Sequence, residues 1–133
     1  MLAMSNALAF RDSLGGDAAI LPYMHQLAVK GGDAMVEAWG TDKLVSDDVV
    51  AAMTNVRLPA EAEKCCSFAL SNALLEQYNT WVPFYPWNGG KCYVRVSAQI
   101  YNEVSDFEFL AKSVSKLLAD VASIPGCNGT EHA

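Results

Sequence analysis

The stretch Tyr93-Val94-Arg95-Val96-Ser97-Ala98-Gln99-Ile100-Tyr101-Asn102 decides how the rest of the chain is read. It alternates as a strand with one buried face does. Val94, Val96 and Ala98 point to one side, and Tyr93, Arg95, Ser97 and Gln99 point to the other. Arg95 therefore sits between two valines on the polar side of a rigid element. A guanidinium held in this way suits a carboxylate, because its planar fork donates two parallel hydrogen bonds and stays charged at any working pH. The plainer reading is a solvated arginine or one paired with a nearby acid, and spacing alone favours it.

Just before this strand stands Trp81-Val82-Pro83-Phe84-Tyr85-Pro86-Trp87, followed by Asn88-Gly89-Gly90. Asn-Gly between two strand-like runs predicts a hairpin, so the aromatic run pairs antiparallel with the Arg95 strand. Its prolines limit how many ladder hydrogen bonds it can donate, which places it at an edge. Trp81, Phe84, Tyr85 and Trp87 suit either a ligand pocket or an interface, and aromatics on an edge strand favour the interface. After the Arg95 strand, Ser105-Asp106-Phe107-Glu108 reads as a capping box. The helix it starts carries Phe107, Leu110, Ala111, Val114, Leu117, Leu118 and Val121 on one face. The polar end of the chain, from 125 to 133, reads as a loose tail.

Upstream, Ser5 can cap a helix running to Leu14, with Gly15-Gly16 ending it. Asp17 then caps a second helix, with Ile20, Met24, Leu27, Ala28, Met35 and Ala38 at helical spacing; Trp39-Gly40-Thr41 closes it. Gly31-Gly32 marks a bend in this helix or a place of close backbone approach. His25 reads as a partly buried histidine and not a metal ligand, since no second ligand stands near it. Ala52 to Leu58 is a strand stopped by Pro59. Glu61 to Tyr78 is a third helix, with Cys65, Phe68, Ala69, Ala73 and Leu75 in or near its buried stripe. The order helix, helix, strand, helix, strand, strand, helix implies an α+β fold: a small, mostly antiparallel sheet with helices packed on one face.

Composition narrows the function classes. The 133 residues make one domain, read as 1–124 with the tail beyond it. Hydrophobic residues reach 52% and charged residues only 18%, which suits a folded chain and suggests that another surface covers part of it. A net charge of −6 with no basic cluster argues against nucleic acid. No apolar run is long enough to span a bilayer, and no basic-then-apolar start suggests export, so a cytoplasmic location is expected. Cys65, Cys66, Cys92 and Cys127 lack zinc-site spacing and read as reduced thiols, with Cys65 or Cys66, and Cys92, in the core. Asn128-Gly129-Thr130 fits a glycosylation sequon, which has little meaning without an export signal.

The Arg95 stretch, with the helix after it, resembles the C-terminal end of class V aminotransferase-fold enzymes that use pyridoxal phosphate. The similarity extends to Ala7-Leu8-Ala9-Phe10-Arg11, Trp39-Gly40-Thr41 and Asn55-Val56-Arg57-Leu58-Pro59. Overall the chain resembles the small C-terminal domain of the isopenicillin N epimerase-like branch, which is also similar to plant-type L-cysteine desulfhydrases. The resemblance implies a fold-type I homodimer in which a larger domain holds the cofactor. It places the binding of an amino-acid substrate's α-carboxylate on Arg95.

The resemblance does not cover the cofactor-binding segments. None of Lys30, Lys43, Lys64, Lys91, Lys112 and Lys116 matches the family's Schiff-base lysine context, so no catalytic residue is assigned and pyridoxal phosphate is not expected to bind this chain alone. The loop that carries a nucleophilic cysteine in cysteine desulfurases is here a hairpin without one. Epimerase, desulfhydrase or lyase, and transaminase chemistry on an amino acid remain, as the work of a complete enzyme. In that reading a missing large domain or second subunit is the partner. The competing reading is a stand-alone, non-catalytic domain that uses its exposed sheet face for binding.

Overall fold

A computed structural model of the protein describes residues 2–127. Its order is α1 (Leu2–Ser13), α2 (Gly16–Trp39), β1 (Met53–Arg57), α3 (Phe68–Tyr78), β2 (Phe84–Trp87), β3 (Lys91–Ser97) and α4 (Val104–Leu118), with short 3-10 turns between several of them. The three strands form one antiparallel sheet in the order β1-β3-β2. The α+β architecture expected from the sequence is borne out.

The alternation in β3 explains why the sheet is two-faced. Val94, Val96 and Ala98 are buried, together with Val56 on β1 and Phe84 on β2, and α2, α3 and α4 complete that core. Arg95 and Ser97 on the other face are exposed. Tyr93, expected to lie open on that face, is instead 4% exposed. Its neighbours across the ladders are Arg57 and Tyr85, and it stacks on the Tyr85 ring at 6.3 Å. A tyrosine on the central strand is thus flanked on both sides, where one on an edge would be open.

The hairpin forms as expected. Phe84 pairs with Val94 and Trp87 with Lys91. Asn88, Gly89 and Gly90 turn through positive φ, which glycine tolerates freely and asparagine more readily than most residues.

Gly31-Gly32 does not break α2, which runs unbroken through both residues. The pair instead admits neighbouring side chains. A Cβ on Gly31 would stand 2.4 Å from the Phe107 ring, and one on Gly32 would stand 3.0 Å from Lys43 Cε. This is how α2 and α4 come close. The indole of Trp39 then donates to the Ala111 carbonyl at 3.1 Å, joining the same two helices. Gly40 ends α2 in the left-handed conformation, its N–H bonded to Val36 O. His25 is half-buried, with Nδ1 2.9 Å from the Val50 carbonyl oxygen.

Several boundaries differ from expectation. Ser5 does not cap α1, which already begins at Leu2. The single helix over 61–78 is two pieces, a 3-10 turn over Ala60–Cys65 and α3, which Ser67 caps by accepting from the Ala69 N–H. The break rotates the apolar stripe, so Leu70, Ala73 and Leu74 are buried while Phe68 is 73% exposed and Leu75 faces out. In α4 the cap is Glu103 and not Ser105: Asp106 returns the bond, so the capping box sits two residues earlier.

The reading of the cysteines as free thiols is also corrected. Cys65 is bonded to Cys127 and Cys66 to Cys92. Cys127, within the expected loose tail, is buried and bonded, and Ile124 just before the tail is buried, so the tail is anchored as far as Cys127. The rest of the tail and the Asn128 sequon lie outside the described residues.

Candidate functional site

Arg95 lies on the central strand, where both neighbours hold its backbone. It pairs with Asn55 on β1, and on the other side its N–H donates to the Pro83 carbonyl at 3.3 Å. The residue is exposed. Among the described residues, the ion pairs join Arg11 to Asp17, Lys43 to Asp33 and Asp47, and Arg57 to Asp42. Among the described residues Arg95 takes part in none of them and makes no side-chain hydrogen bond. Of the two forms of the plainer reading, the exposed side chain fits the solvated one, and among the described residues no acid pairs with it.

Beside Arg95 is a cleft of about 290 Å³. One wall is the run 80–83 before β2, the second is 95–97 of β3, and the third is Asn102, Asp106, Phe107 and Leu110 at the start of α4. The first and third walls are braced from elsewhere in the fold. Ser71 on α3 donates to the Val82 carbonyl at 2.8 Å, and Phe107 packs against Gly31. Tyr23 donates to the Asn102 carbonyl at 2.6 Å.

Asp106 is the carboxylate in the cleft, but it is committed to the helix cap. It accepts from the Glu103 N–H at 3.0 Å and from Asn102 Nδ2 at 3.1 Å, and these two bonds hold its carboxyl below the usual range. Its Oδ2 is consequently engaged by the start of α4, through one backbone and one side-chain donor.

Tyr85 borders Arg95 on the open face. Its hydroxyl donates to Asn55 Oδ1 at 2.6 Å, a bond that spans the central strand from β2 to β1. Burial pushes this phenol up, and the positive charge of Arg95 works against the shift. The tyrosine therefore remains a hydrogen-bond donor at neutral pH. Sequence reading noted Tyr85 only as one aromatic among four and did not single out Asn55. Their spacing across two strands becomes visible only once the register is known.

The other expected candidates are dispersed. Trp81 borders the cleft and is half exposed, Trp87 is exposed, and Phe84 belongs to the core. Lys43 is held by Asp33, Asp47 and the Val29 carbonyl. Burial alone would lower its pKa, but the two carboxylates outweigh this and raise it. Among the described residues, no lysine lines the Arg95 cleft. Among the described residues, no group of three or more His, Cys, Asp or Glu could hold a metal.

A second surface is apolar. Met4, Leu8 and Phe10 of α1, with Leu14, Leu21 and Tyr101, are all largely exposed. Phe10, Leu14, Ile20 and Tyr101 line a cleft of about 580 Å³.

No family model matches the chain. Curated relatives do. Hercynylcysteine sulfoxide lyase of Schizosaccharomyces pombe is 33% identical over 113 residues, covering 85% of this chain and 28% of the relative. The L-cysteine desulfhydrase-like protein lolT1 of Epichloe uncinata is 32% identical over 150 residues, covering 90% of this chain and 33% of the relative. A probable chloroplastic L-cysteine desulfhydrase of Arabidopsis thaliana is 28% identical over 116 residues, covering 80% and 24%. The chain thus spans a third or less of the length of these relatives. The resemblance to the L-cysteine desulfhydrase-like branch is borne out as a similarity to part of such proteins.

Proposed function

We propose that this chain is the substrate-side part of a pyridoxal phosphate enzyme acting on a sulfur-bearing amino acid, by desulfhydrase or lyase chemistry. The observation that carries the reading is Arg95: an exposed guanidinium on a central strand, beside a cleft, with no carboxylate paired to it among the described residues. The names of the curated relatives favour cleavage of a bond to sulfur over epimerase or transaminase chemistry.

Among the described residues, those lining the cleft beside Arg95 do not fit pyridoxal phosphate. The cleft beside Arg95 has no lysine in its walls, and its carboxylate is occupied by a helix cap. In this proposal the cofactor is held by polypeptide outside this chain, a large domain or a second subunit, in a complete homodimeric enzyme. What this chain contributes is position. Arg95 grips the α-carboxylate through two parallel hydrogen bonds, which fixes the orientation of Cα and of the substituent to be cleaved. The Tyr85–Asn55 bond keeps the adjoining face of the sheet in register.

The test uses the complete enzyme that carries this segment. Arg95→Ala removes a charge-assisted pair of roughly 1.5–3 kcal/mol, so kcat/KM for the amino acid falls by about 10- to 100-fold, with cofactor absorbance unchanged. An unaltered KM in that variant would refute the assignment. Arg95→Lys keeps the charge but loses the fork, and recovers only part of the loss.

A second reading, a stand-alone binding domain, is favoured by the apolar surface of α1. It requires the intact native protein to have a mass of 14.3 kDa.

A further inference from the structure

The four cysteines of the chain meet at one point of the fold. Cys65 ends the 3-10 turn before α3 and Cys66 follows it, yet the two bond in different directions. Cys66 reaches Cys92, Cα to Cα 5.5 Å, which is fully buried on the core face of β3, three residues before Arg95. Cys65 reaches Cys127, Cα to Cα 4.8 Å, at the end of the segment that follows α4. Apart from this link, the segment is held by the burial of Ile124 and by short turns, such as Cys127 N–H to the Ile124 carbonyl at 3.0 Å. It lies tightly on α3, for a Cβ at Gly126 would stand 3.2 Å from that of Ala69.

Exposure sets an order. Cys65, Cys92 and Cys127 are 4%, 0% and 8% exposed, whereas Cys66 is in partial contact with solvent. Thiol–disulfide exchange requires a thiolate to approach a sulfur, so access decides which bond is attacked first.

We propose that the two disulfides form a redox latch on the junction before α3, opened by a dithiol reductant that enters at Cys66. One reductant thiolate attacks Cys66 Sγ. The Cys66–Cys92 bond breaks, and its electron pair leaves on Cys92 Sγ, which takes up a proton. The second reductant thiol, as thiolate, then displaces Cys66, which is protonated in turn, and the reductant ends as a disulfide. The same two-electron, two-proton exchange follows at Cys65–Cys127 once the junction has loosened. Opening frees the segment after α4, and it relaxes α3, whose Ser71 holds Val82 in the wall of the Arg95 cleft. Only this last consequence, control of the cleft, rests on the proposed function; the latch itself does not.

The experiment is alkylation of the purified full chain in graded dithiothreitol, with peptide mapping by mass spectrometry and amide hydrogen exchange on the same samples. Oxidised protein should label at no cysteine even when denatured. Cys66 and Cys92 should label at the lowest reductant concentrations, and Cys65 and Cys127 at higher ones. Exchange at Ile124 and Cys127 should quicken by at least tenfold on full reduction. Cys127→Ser should show that fast exchange with Cys66–Cys92 still intact, separating loss of one bond from general unfolding. Four thiols that fail to pair under mild oxidation, a different pairing, or unchanged exchange after complete reduction would each overturn the proposal. If the latch behaves as described and amino-acid turnover in the complete enzyme is indifferent to it, the latch stands and its link to the cleft is lost.

Discussion

Gly31→Ala tests the packing that forms the cleft. The added methyl would meet Cγ and Cδ1 of Phe107 at 2.4 Å and Cε1 at 2.7 Å. Non-bonded carbons rest at about 3.5–4.0 Å, so the ring or the helix must move by about 1 Å. Phe107 is only 4% exposed, which leaves the ring little room. Overpacking of this kind costs about 1–3 kcal/mol, and the clash favours the upper end. Alanine returns about 1 kcal/mol through its better helix propensity. The net loss should be about 2 kcal/mol. Gly32→Ala is the control one residue away, in the same helix and with the same gain in propensity. Its methyl meets Lys43 Cε at 3.0 Å and Thr54 at 3.2–3.3 Å, and the lysine stem can yield. That variant should lie within about 1 kcal/mol of the parent. Urea unfolding is the assay: Gly31→Ala lowers the midpoint at unchanged m value, and Gly32→Ala leaves it nearly unmoved. Phe107→Leu should relieve the clash, so the double variant is less destabilised than the sum of the singles. A Gly31→Ala protein unfolding at the parental midpoint, or an additive double variant, would refute this account of how α2 meets α4.

Two further outcomes follow from groups in or beside the cleft. Asp106→Ala removes the carboxylate that closes the α4 capping box and should cost about 1 kcal/mol at neutral pH. The carboxyl is held below its ordinary value in the fold, so its contribution is full above that ordinary value and is lost as pH falls through the lowered one. The stability gap between parent and variant should therefore close in acid, and a gap that widens there would contradict the assignment. Tyr85 titrates above an ordinary phenol because it is buried, with Arg95 opposing the shift. Alkaline absorbance titration of Arg95→Ala should accordingly move this phenol still higher, and a downward move would show that the guanidinium is not its neighbour.

The parts of the fold legible in the sequence are those where one physical requirement dominates. Val94, Val96 and Ala98 had to share a face, because a two-residue period with one buried side leaves no other register. The Asn88-Gly89 turn is similar, since its chemistry is local. Where two local signals compete, the boundary shifts. Ser105 and Glu108 fit a capping box by residue type, yet the one that forms is Glu103 with Asp106. Phe68 reads as core if 61–78 is one helix, but a single change of direction at Cys66-Ser67 turns it out to solvent. The disulfides were illegible for a different reason. Their partners lie 62 and 26 residues apart, and nothing in local spacing encodes a pairing at that range. In the candidate site Arg95 was legible from its strand, whereas the Tyr85–Asn55 bond beside it depends on two registers at once.

The placement of Arg95 also bears on why this chain would need a covering partner. Its backbone is bound on both sides, by β1 and by Pro83, so the guanidinium starts from a fixed point and little ordering is left to binding. The side chain nevertheless stands in water. An exposed ion pair is worth about 0–1 kcal/mol, which is too little to hold an amino acid at the concentrations at which enzymes work. The same pair closed off from solvent reaches about 1.5–3 kcal/mol through charge-assisted hydrogen bonds. The difference is supplied by whatever excludes water from the open face of the sheet. In the proposed function, a carboxylate anchor built in this way would be selective only with a second surface closed on it, and this chain would bring the fixed half of that site.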